Sequence, residues 1–173
     1  MTRRDLLRRA PALAAVLAVA ALDRRAGTPA RGEWTGLGTA RPAAAQDREG
    51  VPAPPAVVQE LKLTLARALE RFQAKDLPGV LAYVSDQYWT GPFTKAGLRV
   101  QLQAIFGVHE EVRGRVRIDD VRMVGERAWV YSTGTLTGRL ALVGQWVPLF
   151  TWANELEVAR REPGGWRLYG YQA

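Results

Sequence analysis

Few residues in this 173-residue chain could do chemistry, and their types exclude more than they suggest. There is no cysteine, so disulfides, thiolate nucleophiles, iron–sulfur clusters and cysteine zinc sites are all ruled out. His109 is the only histidine. It stands beside Glu110 and Glu111, where a solvated turn residue is expected before a general base. A metal ion would need more ligands than the chain readily groups, so neither metal nor cofactor is expected. Asp119 and Asp120 are adjacent acids, but neighbours on a strand point to opposite faces, which suits bulge residues better than an acid/base couple. Asp86 ends a short helical stretch and is a candidate for a pocket mouth; its plainer reading is a surface turn. Arg113, Arg115 and Arg117 form a row on one strand face. A solvated, edge-protecting face is the expectation and anion binding the sharper alternative. No glycine-rich phosphate loop follows a strand, and no G-x-S-x-G elbow is present.

These residues must be positioned by elements whose periods are legible. Val58, Leu61, Leu65, Leu69 and Phe72 recur at three and four residues, with Lys62, Arg67, Glu70 and Arg71 off the stripe. That predicts an amphipathic helix of about five turns. Asp76 is placed to cap a second, short helix with Pro78 in its first turn and Leu77, Val80, Leu81 and Val84 on its apolar face. Ser85 to Trp89 reads as a short extended piece and Gly91-Pro92 as a turn. Thr94 can cap a third helix that buries Leu98, Leu102, Ile105 and Phe106, with Gly107 suited to its end. The period then changes from about 3.6 to 2. Val112, Gly114, Val116 and Ile118 alternate with arginines, and Asp119-Asp120 breaks the phase, so a β-bulge or a bend is expected there. Strands follow over 128–137, around Phe150 to Val158, and from Trp166 to Gln172, with Pro163-Gly164-Gly165 as a hairpin turn. Helices first and antiparallel strands after them define an α+β domain over 56–173, with four to five curved strands wrapped around the helices.

The N-terminal third has a different character. Thr2-Arg3-Arg4-Asp5-Leu6-Leu7-Arg8 resembles the twin-arginine export pattern, and Ala10 to Leu22 is short for a permanent span and suited to a signal h-region. An uncleaved membrane anchor is the alternative. Ala43-Ala44-Ala45 before Gln46 is one candidate cleavage site, and a cut near Ala20 another. Residues 46–55, with Val51-Pro52-Ala53-Pro54-Pro55, read as a stiff extended linker. The formal net charge of +7 belongs mostly to the leader: residues 1–45 hold 8 Lys/Arg against 3 Asp/Glu, and the remainder 16 against 14. A nearly neutral domain gives no electrostatic case for nucleic acid, and membrane contact is expected only through the leader.

Three stretches then point to a family. They are Phe72-Gln-Ala-Lys-Asp-Leu-Pro-Gly-Val-Leu-Ala-Tyr-Val-Ser-Asp86, Gly125-Glu-Arg-Ala-Trp-Val130, and Gly165-Trp166-Arg167-Leu168 through Gln172. Their order and spacing over nearly all of 56–173 resemble the nuclear transport factor 2-like superfamily, and within it the SnoaL-like bacterial groups. The resemblance implies a cone: helices packed on a curved antiparallel sheet with a pocket at the open end. It does not imply an activity, because the family includes isomerases, dehydratases, cyclases, hydrolases and binding modules. Members that isomerise steroids use a helix tyrosine and paired acids. Here those positions fall near Ala68 and Gly91, neither of which can do that work.

The resemblance puts Trp166, Leu168, Gly170 and Gln172 on an inward face, and the same phase puts Phe150, Trp152, Asn154, Leu156 and Val158 inward. Asn154 is then a polar group on an apolar row that needs a partner. Asp86, Trp89, Phe93, Phe106, Trp152, Asn154 and Gln172 are the candidate ligand-binding residues. Trp129, Tyr131, Tyr169 and Tyr171 point to the outer sheet face, where exposed aromatics suggest a homodimer interface. The expected function is an exported module that binds a small apolar ligand or an envelope partner protein. The alternative is a small isomerase, dehydratase or hydrolase, for which Asp86, Asn154 and His109 would have to converge.

Overall fold

The computed structural model describes residues 48–171. The leader, its cleavage sites and Gln172 lie outside the described residues. The elements in order are β1 (Val51–Pro52), α1 (Pro55–Gln73), α2 (Leu77–Leu81), β2 (Trp89–Thr90), β3 (Phe93–Thr94), α3 (Lys95–Val108), β4 (His109–Val124), β5 (Arg127–Leu140), β6 (Trp146–Glu162) and β7 (Gly165–Leu168). One five-stranded antiparallel sheet has the order β1-β4-β5-β6-β7, and β2 and β3 form a small separate hairpin. This is the expected α+β architecture.

Local chemistry sets the helices. α1 begins with Pro55 in its first turn, where the missing N–H costs nothing, and it buries Leu61 and Phe72. Asp76 caps α2 as expected, its carboxylate accepting from the Gly79 N–H at 2.9 Å. Thr94 caps α3 by accepting from Gly97 N–H at 3.2 Å. Gly107 does not end α3; the helix runs on to Val108 and stops because His109 takes extended backbone and enters β4. Phe72, Val80, Leu81, Leu98, Leu102, Ile105, Leu136 and Trp152 form the larger apolar core beneath the helices, and a smaller one gathers Leu61, Val121, Val130 and Trp166.

The long strands curve through bulges, each leaving one residue unpaired and turning the strand. Asp119 is the extra residue between Ile118 and Asp120, as the phase break in the sequence requires. A second bulge was not anticipated. Ser132 pairs with Glu155 and Gly134 with Trp152, so Thr133 faces both Ala153 and Asn154. Asn154 takes φ 52°, a left-handed conformation that asparagine tolerates better than most residues. Gly134 sits where a Cβ would run into the Trp152 ring, so only glycine lets that indole lie flat on the sheet.

The segment expected to be a free linker is docked over its last part. Val51 and Pro52 pair with Met123 and Arg122 at the edge of β4, and Ala53 N–H donates to Val121 O at 3.0 Å. Ahead of them Arg48 reaches Asp120 and Asn154, each at 2.7 Å, and lies 4.2 Å above the Tyr131 ring. A proline on an edge strand removes one exposed donor and blunts the edge. Among the described residues no helix is long and apolar enough to cross a membrane.

Candidate functional site

The bulge at Asn154 decides which side chains enter the cone. Up to Trp152 the inward phase is as expected: Phe150 and Trp152 lie opposite Leu136 and Gly134 on the concave face. Beyond the bulge the phase inverts. Glu155 pairs with Ser132 and Glu157 with Val130, both concave positions, whereas Leu156 pairs with Tyr131 and Val158 with Trp129 on the outer face. The expected inward row of Asn154, Leu156 and Val158 is therefore corrected. In its place a buried carboxylate, Glu157, stands inside, with Glu155 two residues away on the same face.

Glu157 lines a cavity of about 60 Å³ between the two apolar clusters. α1 contributes Leu61, Leu65 and Ala68, and the sheet contributes Val130 and Leu168. Thr64 and Tyr83 bring hydroxyl groups to the same lining. The space holds a few water molecules, or a small group entering from one side. The electrostatics follow from burial. Burial and the charge of Glu157 together push the buried Tyr88 phenol well above its ordinary range. Burial also raises the Glu155 carboxyl. Ser132 is occupied, accepting from the Trp152 indole N–H at 3.1 Å.

The residues singled out from sequence fall elsewhere. Asp86 is solvent-exposed and ion-paired to Lys95 at 2.7 Å, whose hydrogen bond and charge hold its pKa down. Trp89 is half exposed on the β2–β3 hairpin. Phe93, Phe106 and Trp152 are core: Phe106 packs on Phe72 with ring centres 5.6 Å apart, and Trp152 is buried against Gly134. Asn154 points out of the cone toward Arg48. His109, expected to be solvated, is buried. Its Nδ1–H donates to Ile105 O at 2.8 Å and its ring packs on Gly138, where a Cβ would not fit. Asp86, Asn154 and His109 thus do not converge, and an acid/base mechanism built on them is not supported. Asp119 and Asp120 both serve the outer side. Asp119 accepts from Thr133 and Arg117, and Asp120 from Arg48. Among the described residues no cluster of three His, Asp or Glu could hold a metal ion.

The outer face is less open than its sequence suggests. Tyr169 is buried, with the Arg160 and Arg127 guanidinium groups 4.2 and 4.8 Å from its ring centre. Trp129 and Tyr131 are half-buried, and Tyr171 is exposed with its ring edge-on to Trp129 at 5.9 Å. The arginine row lies on the same convex side, opposite Thr133, Thr135 and Thr137. Arg113 pairs with Glu111 and Arg117 with Asp119.

No family model matches the chain, and no curated protein matches it. Solved structures do. A conserved protein from Planctomyces limnophilus matches with TM-score 0.56 and 13% identity, over 66% of this chain and 92% of that one. A candidate dehydratase of the NTF2-like family from Streptomyces avermitilis matches with TM-score 0.54 and 16% identity, over 68% and 94%. A candidate scytalone dehydratase from Novosphingobium aromaticivorans matches with TM-score 0.55 and 9% identity, over 65% and 79%. At these identities the likeness shows the fold: this chain has the NTF2-like α+β cone.

Proposed function

We propose that the chain is an exported module that binds a small ligand in the cone, one with an apolar body and a single N–H or O–H donor, anchored by Glu157. The observation that carries this reading is a buried carboxylate on the wall of a largely apolar cavity, which Thr64, Tyr83 and Arg167 also line. Burying a carboxyl is costly, and a carboxylate on a cavity wall can accept a hydrogen bond from a group that enters. Export is supported by the twin-arginine pattern at Arg3-Arg4.

Thermal unfolding of the full chain with cyclohexylamine, cyclohexanol and methylcyclohexane tests the anchor with one body and three head groups. The amine and the alcohol should raise Tm and the hydrocarbon should not. Glu157→Gln should weaken the amine about tenfold, the worth of one charge-assisted hydrogen bond. A wild-type chain indifferent to all three probes sinks the binding reading, and an unaltered response in Glu157→Gln moves the anchor elsewhere.

A second reading is favoured by a separate observation. Glu155 and Glu157 share the concave face, and Tyr83 lines the same cavity as Glu157. A carboxyl between apolar walls is suited to proton transfer beside a carbonyl or hydroxyl group. Isomerase or dehydratase chemistry would then run through Glu157. Deuterium uptake at the α-carbon of cyclohexanone, followed by NMR, should occur with the wild-type chain and vanish in Glu157→Gln.

A further inference from the structure

The β5–β6 hairpin ends in a feature that the cavity does not explain. Leu142 is 98% exposed and Val143 68% exposed at its tip, where turns ordinarily carry Gly, Asn, Asp or Ser. Ala141 precedes them and Trp146 follows, itself partly exposed. The exposed Val108 is drawn in beside them by the Ala141 N–H to Val108 O hydrogen bond at 3.1 Å. The tip is a built turn: Leu140 N–H donates to Gln145 O at 2.9 Å, Gly144 N–H to Leu140 O at 2.8 Å, and Arg139 Nε to Gly144 O at 3.1 Å. The backbone thus holds two aliphatic side chains out into solvent.

The surroundings are cationic. Residues 140–153 carry no charge at all. Just behind the tip Arg113 stacks on Trp146, 4.3 Å from its ring centre. Arg139 pairs with Glu110 and Glu111, and Lys75 Nζ donates to His109 O at 2.7 Å. Arg115 adds a cation with no described ion pair. These four cations face two acids at this end of the sheet.

We propose that this tip inserts into an anionic phospholipid bilayer. Leu142 and Val143 would enter the acyl boundary, Trp146 would sit at headgroup level, and the arginines would meet lipid phosphates. A projecting pair of aliphatic residues offers a protein partner little of the roughly 800 Å² per side that a stable interface buries. A bilayer accepts a point insertion, and the sequence of aliphatic tip, tryptophan and arginine matches the polarity gradient across its interface. The N-terminal strand β1 joins the opposite end of β4.

The chain has no cysteine, so Leu142→Cys and Glu126→Cys each give a single labelling point, at opposite ends of the sheet. Each full-length variant, carrying an environment-sensitive fluorophore, is titrated with phosphatidylcholine vesicles containing phosphatidylglycerol and nitroxide-labelled acyl chains. A blue shift and quenching at position 142 but not at 126, reduced by Arg115→Gln, supports the proposal. A label at 142 that stays in water while the chain sediments with the vesicles overturns it, because the leader alone then makes the contact. A blue shift at 142 that grows with protein concentration in the absence of lipid also overturns it, and gives the tip to a second copy of the chain.

Discussion

Two glutamates on the sheet respond to their surroundings in opposite directions, which allows a test at single residues. The Glu162 pKa is lowered by the Ser85 hydroxyl, which donates at 2.6 Å, and by Arg160 and Arg167. Its folded value lies below its unfolded one. The stabilisation is therefore present above the ordinary carboxylate range and lost as pH falls through the folded pKa. Glu162→Gln should cost about 1 kcal/mol at pH 7, discounted for the partly exposed arginines, and should flatten the acid limb of a stability–pH curve. Glu155 has the opposite sign: burial raises its carboxyl. Its penalty is absent at low pH and sets in as pH rises through the unfolded and then the folded value. Glu155→Gln should therefore raise Tm at pH 7 and leave it unchanged near pH 3. If both variants show parallel curves, the two environments are not distinct. Neither Glu155 nor Glu157 was legible as a site residue. Glu157 lies between Leu156 and Val158, Glu155 between Asn154 and Leu156, and the alternation favours placing the hydrophobes inside.

The reason lies at the scale of the element. β6 is covered on both faces beyond the bulge: Leu156 and Val158 lie beside Tyr131 and Trp129 on the outer face, while Ala159 and Glu157 share a cavity wall with α1 residues. The bulge shifts the strand by one residue, so the clear alternation of Glu155-Leu156-Glu157-Val158 is carried onto the opposite faces. The one available signal was Asn154 itself, since asparagine is among the few residues that accept a left-handed backbone. The bulge at Asp119 was legible because two charged residues interrupt a clear alternation, and the caps at Asp76 and Thr94 because each polar side chain precedes an apolar helical run. If backbone geometry is what Asn154 supplies, Asn154→Gly should keep the bulge and Asn154→Ala should not. Both variants lose the Arg48 contact, so the difference between them isolates the backbone. Alanine should be the less stable by about 1 kcal/mol in chemical denaturation. Equal stability of the two would mean that the bulge is held by its neighbours, not by residue 154.

At the scale of the molecule, the arm at Arg48 changes what the outer face can do. A homodimer through Trp129, Tyr131 and Tyr171 remains our proposal, and the arm is now part of the surface it would use. Only Tyr171 is openly exposed; Arg48 lies over the Tyr131 ring, and Arg127 and Arg160 over that of Tyr169. Arginine stacked on aromatic rings is common at contact surfaces, because it keeps a flat, amphipathic face dry without filling it. Tyr131→Asp separates the possibilities cleanly. In a monomer the new carboxylate would lie beneath the Arg48 guanidinium, which already reaches the neighbouring Asp120, so an ion pair replaces the stacking contact and stability should change little. In a dimer closed over this face the same carboxylate would be buried against its symmetry mate and would strip the interface. The full chain should therefore elute as a dimer in sizing with light-scattering detection and Tyr131→Asp as a folded monomer with nearly the parent Tm. A monomeric parent removes the dimer altogether. A Tyr131→Asp variant that stays dimeric places the contact on another face and leaves the arginine-capped aromatics as a closed outer layer of the monomer.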